Sequence, residues 1–159
     1  VVCIKNEASY MSEWLEYHYK IGVDKFYIYN NDSEDTKELE KILEPWIQNQ
    51  IVEYVRFPGA YAQMPAYIDC ILKHRYDCRY LCFIDADEFI VPKKRSLIEV
   101  LDKCFGYKLP DSKIVGGLAV NWRVFGASGN RFRENGGVLE RFTYRNVDDF
   151  ERNLIVKNL

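Results

Sequence analysis

The 159 residues are 48% apolar and 15% aromatic, enough for one domain with a packed core, which excludes a disordered chain. The 22 basic and 24 acidic residues are interspersed and leave a net charge of −2, so nothing marks a nucleic-acid partner or a polybasic membrane patch. No apolar run reaches the length of a membrane span and no leader precedes the first strand. The chain opens directly on Val1-Val2-Cys3-Ile4 and closes on Leu154 to Leu159, as expected of a single domain over 1–159 that is truncated at one or both ends.

The five cysteines are odd in number, and Cys3 and Cys82 keep apolar company. Reduced, buried thiols in a cytoplasmic protein are the expectation, with any membrane association arising from segments outside this chain. Cys78-x3-Cys82 has only His18 and His74 to join it, so a zinc site is disfavoured.

Val1 to Ile4 reads as a short strand ending in Lys5-Asn6-Glu7. Met11, Trp14, Leu15, His18 and Ile21 then recur at helical spacing, with Ser9 or Ser12 as candidate caps and Gly22 as the stop. His18 on that stripe is expected to be a packed or hydrogen-bonded core residue. Lys25 to Tyr29 is a second strand, ending in Asn30-Asn31-Asp32-Ser33. A helix from about Glu34 to Leu43 follows, closed by Pro45. Ile51 to Arg56 is a third strand, and a helix from about Gln63 to Arg75 carries Tyr67, Ile68, Ile71 and Leu72.

Leu81-Cys82-Phe83-Ile84 lacks the alternation of a half-exposed strand and reads as a strand buried on both faces. The order βαβαβαβ implies a parallel sheet with helices on both faces. In such sheets ligands bind beyond the carboxyl ends of the strands. Those ends are Lys5-Asn6-Glu7, Asn30-Asn31-Asp32, Arg56 to Gln63, and Asp85-Ala86-Asp87-Glu88, all polar. Residues two apart in extended chain point the same way, so Asp85 and Asp87 face one site. Two carboxylates about 5 Å apart at an effective dielectric near 20 repel by roughly 3 kcal/mol, or about two pKa units. A proton, a basic side chain or a divalent cation must offset this.

Beyond the acidic end, a helix from about Ser96 to Cys104 leads to a strand from Ile114 to Val124, in which Gly116-Gly117 suggest a bulge or a close backbone approach. Phe125 to Asn130 and Glu134 to Gly137 read as a glycine-rich, mobile loop. Val138 to Arg145 is a strand or a short helix, and Leu154 to Val156 a last strand. No G-x-G-x-x-G opens a helix and there is no P-loop, which disfavours dinucleotide and P-loop chemistry.

Four motifs in order, Val-x-Cys-x-Lys-Asn-Glu with a following Glu-Trp-Leu-x-Tyr-His, Phe-Tyr-Ile-Tyr-Asn-Asn-Asp-Ser, Phe-Ile-Asp-Ala-Asp-Glu-Phe-Ile and Asn-Trp-Arg-x-Phe-Gly-x-Ser-Gly, resemble glycosyltransferase family 92 and related family 2-like enzymes over nearly the whole chain. The resemblance implies an α/β, Rossmann-like GT-A fold with a mostly parallel central sheet and a mixed C-terminal part. It also implies a nucleoside-diphosphate sugar donor, UDP-linked in preference to GDP-linked, a glycan or other hydroxyl acceptor, and a divalent cation, Mn²⁺ or Mg²⁺. Asp85 and Asp87 match the D-x-D motif as metal residues, with Asp87 expected on the ion and Asp85 on its water or the ribose. Lys5, Asn6, Glu7, Asn31 and Asp32 match the donor-nucleotide strand ends, and Gln63 joins them from the third loop. Carboxylate and water oxygens suit such hard cations independently of the resemblance.

An acceptor base, needed if the reaction inverts configuration, is sought among Glu134, Glu140 and Asp149, with Asp148 beside them. Trp122 and Phe125 either stack on a sugar or belong to the core. Where similar sequences often close the Phe-Gly-x-Ser-Gly segment with His, this chain has Asn130. The alternatives are a nucleotide- or glycan-binding module without turnover and, less favoured, a D-x-D phosphatase, whose acidic strand would come first in the chain. Adjacent carboxylates do not suit a glycoside hydrolase, which places them across a bond.

Overall fold

In the computed structural model, residues 1–93, 96–106, 115–132 and 136–158 are described. Three parallel strands, β1 (Val2–Ile4), β2 (Phe26–Asn30) and β3 (Val52–Arg56), lie in the order β1-β2-β3, with Val2 abreast of Ile28 and Phe26 of Val52. Helices α1 (Ala8–Lys20), α2 (Thr36–Gln48) and α3 (Gln63–His74) connect or follow them. Alternation along each strand divides the core between the two faces. Val2, Ile4, Phe26, Ile28 and Val52 pack with Met11, Trp14 and Leu15 of α1 and Leu39 and Leu43 of α2. Cys3, Tyr27, Tyr29 and Val55 pack with Ala66 and Cys70 of α3. Each large apolar side chain so buried contributes roughly 1.5–3 kcal/mol. The expected α/β sheet with helices on both faces is therefore present.

The segment 81–84 joins this sheet with less regularity than expected. The Val1 amine donates to the Cys82 carbonyl at 2.7 Å and the Ile84 N–H donates to the Val1 carbonyl at 3.1 Å, which sets the segment beside β1 and parallel to it. Leu81 and Phe83 face the α3 side, while Cys82 and Ile84 face α1 and α2. The ladder ends there, because β1 is only three residues long and the chain turns at once, the Glu88 N–H donating to the Asp85 carbonyl at 3.1 Å.

Local expectations are corrected at several ends. Pro45 lies inside α2 instead of closing it. A proline inside a helix costs about 3 kcal/mol. Here Trp46 and Ile42 pack against the core, and the Asn49 side-chain amide donates to the Pro45 carbonyl at 2.8 Å, so tertiary burial carries the last turn. Neither Ser9 nor Ser12 caps α1: Glu7 precedes the helix, and the Ala8 N–H donates to Asp35 Oδ2 from the next loop at 2.9 Å. Gly22 ends α1 as expected, at φ +106°, where a side chain would be strained.

Helix α4 (Leu97–Phe105) starts on Ser96, whose hydroxyl accepts from the Glu99 N–H at 3.2 Å. The expected strand over 114–124 is reduced to β4 (Ala119–Asn121), and Ile114 lies outside the described residues. Gly116 faces open space, so no close approach explains it. The last strand, β5 (Val156–Asn158), falls two residues later than expected, after a 3-10 turn over Glu151–Leu154, and pairs antiparallel with β4. Buried Asn153 holds this part together: its side-chain amide donates to the Val147 carbonyl and its Oδ1 accepts from the Val124 N–H, both at 2.9 Å. Val138 to Arg141 is the short helix α5. Its first turn is capped from α1, where Glu13 accepts the N–H groups of Val138 and Leu139, and a side chain at Gly137 would collide with the Glu13 carboxylate.

The described part of the glycine-rich loop is joined to the following segment by hydrogen bonds. Ser128 Oγ accepts from the N–H groups of Thr143 and Tyr144 at 2.9 and 2.8 Å, and the Asn130 side-chain amide donates to the carbonyls of Ala127 and Arg141.

Candidate active site at the acidic turn

With the segment 81–84 on the outer edge of β1, strand order reverses between them, and the crevice at such a reversal is where open α/β sheets bind ligands. Lys5-Asn6-Glu7 leaves one side of it and Asp85-Ala86-Asp87 the other. Helix α1 lies under the turn. The Trp14 indole N–H is shared between the carbonyls of Asp85 and Glu88, 3.1 Å to each, and the Tyr17 hydroxyl donates to the Ile90 carbonyl at 2.9 Å.

His18, fully buried, completes this support. Its Nδ1 lies 2.8 Å from the Trp14 carbonyl and its Nε2 3.3 Å from the Ile90 N–H. The first must donate and the second accept, which describes a neutral ring. Burial lowers its pKa to about 4, against the opposing Trp14 carbonyl. Because the folded value is depressed, the unfolded chain takes a proton near pH 6.5 that the folded chain refuses until about pH 4. His18 therefore contributes stability that is complete above pH 6.5 and is lost as pH falls through this window. At 1.36 kcal/mol per pH unit the loss reaches about 3 kcal/mol. Urea unfolding at pH 7 and pH 4.5 should show most of it in the unsubstituted protein, and His18→Gln should remove that part of the slope; an unchanged slope would contradict the assignment.

The two aspartates differ in their surroundings. Asp85 is tightly held: Oδ1 accepts from the Gln63 side chain at 2.9 Å and from the Tyr67 hydroxyl at 3.5 Å, and Oδ2 accepts from Lys157 Nζ at 2.9 Å. Glu88 Oε2 accepts the Asp85 N–H and is paired with the same Lys157 ammonium, each at 2.9 Å. Glu88 thus shapes the turn. Burial and then the Asp85 charge push the Tyr67 hydroxyl up to about 12. Burial pulls against the Lys157 charge, but the Glu88 and Asp85 carboxylates outweigh it and hold its pKa above the ordinary lysine value.

Asp87 is exposed, and among the described residues its carboxylate makes no hydrogen bond or ion pair. Its charge nevertheless reaches Glu7, whose pKa is raised by burial first, then by Asp87, and further by Asp85 and Asp35. The oxygens open to a cation are therefore those of Asp87, whose charge Glu7 is near enough to feel. Among the described residues no three His, Cys, Asp or Glu side chains converge on a closed metal cage.

The other expected site residues are placed as follows. Asn6, at φ +60°, donates its N–H to Ser33 Oγ at 3.0 Å and accepts the Glu34 N–H on Oδ1 at 2.7 Å; Asn31 Oδ1 accepts the Gly59 N–H at 3.1 Å. Both asparagines fasten strand-end loops to each other. Lys5 is exposed, and exposed Asp32, at φ +49°, lines an open polar hollow with Asn30, Ser33, Thr36 and Arg56. Gln63 reaches Asp85, as above. Glu140 and Asp149 are exposed and make no hydrogen bond or ion pair with the acidic turn among the described residues, and Glu134 lies outside them. Asp148 pairs with Arg145 at 2.5 Å. Phe125 is exposed, while the buried Trp122 indole N–H has no partner among the described residues.

Sequence reasoning missed Lys157, Tyr67 and the role of Trp14. Lys157 lies just past the last strand expected over Leu154 to Val156; the unoffset charge of the D-x-D pair was the signal that a proton, a basic side chain or a divalent cation had to be found.

The family model described as Glycosyltransferase family 92 matches residues 1–148. Family 92 proteins of Ricinus communis and Oryza sativa subsp. japonica are 32% and 30% identical to this chain, over 88% and 89% of it and 25% and 24% of their own lengths. A protein of Arabidopsis thaliana named galactan beta-1,4-galactosyltransferase GALS2 is 33% identical over 56% of the chain and 19% of its own length. The chain thus spans about a quarter of the length of the first relatives it matches. No solved structure matches it. The match over 148 residues takes in both sides of the crevice, from Lys5-Asn6-Glu7 to the acidic turn, and with it the chain belongs to glycosyltransferase family 92.

Proposed function

We propose that this chain is the donor-binding part of a metal-dependent glycosyltransferase with a GT-A fold, moving a sugar from a UDP-sugar to a glycan hydroxyl. The observation that carries the reading is the acidic turn at the reversal of strand order, with the Asp87 carboxylate exposed and free of hydrogen bonds and ion pairs among the described residues. The printed name of the Arabidopsis relative adds galactose as the sugar and galactan as the acceptor to try first.

The donor set fits Mn²⁺ or Mg²⁺. Mg²⁺ commonly takes one or two protein carboxylates and fills the rest of its shell with water and phosphate oxygens, and an open pair such as Asp87 and Glu7 suits that habit better than a closed cage. Bound there, the ion would supply Lewis-acid stabilisation of the departing diphosphate. Gln63 and Tyr67 hold Asp85 by Oδ1 and so orient the turn with Asp87 outward, while Asp85 Oδ2, which faces Lys157, is the oxygen it would offer the ion or its water. Asn6 and Asn31 keep the strand-end loops fixed around the donor pocket, with Lys5 and Asp32 at its rim. The acceptor base is assigned to one of Glu134, Glu140 and Asp149.

Incubation of the protein with UDP-galactose, Mn²⁺ and a galactan oligosaccharide should release UDP and lengthen the acceptor, and neither should occur in EDTA. UDP binding without release would favour a donor-binding module that needs the rest of the longer protein. Equal turnover in EDTA would overturn the metal-dependent reading.

A further inference from the structure

Lys157 lies beyond the family match, which ends at residue 148, yet among the described residues it is the cation that pairs with the acidic turn. Its position is set by the fold: β5 pairs it with Val120 of β4, and buried Asn153 anchors the turn before it. From there the side chain, 23% exposed, reaches 2.9 Å from both Asp85 Oδ2 and Glu88 Oε2. One ammonium thus offsets two carboxylates, while Asp87 and Glu7 add further negative charge around them. The crevice keeps an excess of negative charge, which invites a second cation.

A metal ion and an ammonium compete for the same lone pairs. A divalent cation sits at about 2.0–2.6 Å from carboxylate oxygen. An ammonium at 2.9 Å on the same oxygen would then face a doubly charged neighbour at close range. Glu88 offers Lys157 a second anchor that does not require Asp85.

We propose that Lys157 is an exchangeable counter-ion of the acidic turn, holding Asp85 against Glu88 when no divalent cation is bound and yielding Asp85, but not Glu88, when one binds. The inference rests on the reading of this turn as a cation site. It makes β5, a distant part of the chain, sense whether that site is filled, so that donor-site loading and the seating of the paired strands β4 and β5 are coupled.

The test is Mn²⁺ binding without nucleotide, followed by the EPR signal of free Mn²⁺, on the unsubstituted protein, Lys157→Met and Lys157→Arg. Methionine keeps the apolar stem and removes the charge. Lys157→Met should bind Mn²⁺ about tenfold more tightly at low ionic strength, and Lys157→Arg should stay near the unsubstituted affinity. Equal or weaker binding by Lys157→Met overturns the exchange while leaving the cation site intact. Absence of Mn²⁺ binding in every form removes the cation site, and this inference with it. Should Lys157→Met fail to fold, the unsubstituted protein still decides. Mg²⁺ titration should shift the ¹⁵N resonance of the Lys157 ammonium, and an unmoved resonance alongside measured Mg²⁺ binding refutes the exchange.

Discussion

Trp14→Ala should destabilise the protein by about 4 kcal/mol, measured by urea unfolding at pH 7, roughly a quarter or more of the stability of a typical domain. The side chain is 1% exposed and packs in the core shared by β1, β2, α1 and α2, with the Phe26 ring 5.6 Å away edge-on. Removal leaves a cavity and also strips the shared donor from the carbonyls of Asp85 and Glu88. Trp14→Phe separates the two effects. It keeps most of the packing and loses only the N–H, so it should cost about 1–2 kcal/mol, yet it should still weaken UDP binding by loosening the turn. Were Trp14→Phe to bind UDP as the unsubstituted protein does, the indole would be a core residue without influence on the site.

Asp87→Ala should have the opposite profile. The residue is exposed and supports nothing among the described residues, so stability should stay within about 0.5 kcal/mol. Mn²⁺-dependent UDP affinity should fall at least about a hundredfold, roughly 2.7 kcal/mol, because the substitution removes the charged oxygens that face the crevice. Glu7 should respond as well, its carboxyl moving back toward the ordinary range once the Asp87 charge no longer raises it. Asp85→Asn is the comparison. With Gln63, Tyr67 and Lys157 all converging on it, its loss should lower stability and affinity together. Equal stability losses in the two variants would mean that the two aspartates are not divided in this way.

Much of this arrangement was legible in the sequence because strand ends in a βαβ chain must converge. The apolar runs located β1, β2 and β3, and the stripe Met11, Trp14, Leu15, His18 identified the buried face of α1. What escaped depended on contacts between distant residues. Pro45 reads as a helix end, and only the packing of Trp46 shows why the helix continues. Ser9 and Ser12 are good caps by type, but Asp35, 27 residues away, takes the Ala8 N–H. The repulsion between two carboxylates announced a missing positive charge, yet nothing local could point 72 residues ahead to Lys157. Glycines at 126, 129, 136 and 137 suggested motion, and nothing local announced the hydrogen bonds that Ser128, Asn130 and Glu13 make to the described backbone of that region.

The most direct test of the donor site is calorimetric titration of UDP into the unsubstituted protein and Asp87→Ala, each with and without Mn²⁺. The exposed Asp87 carboxylate on the acidic turn predicts binding only when Mn²⁺ and Asp87 are both present. UDP binding of equal strength without the metal, or in Asp87→Ala with it, would contradict a cation-bridged donor at the acidic turn.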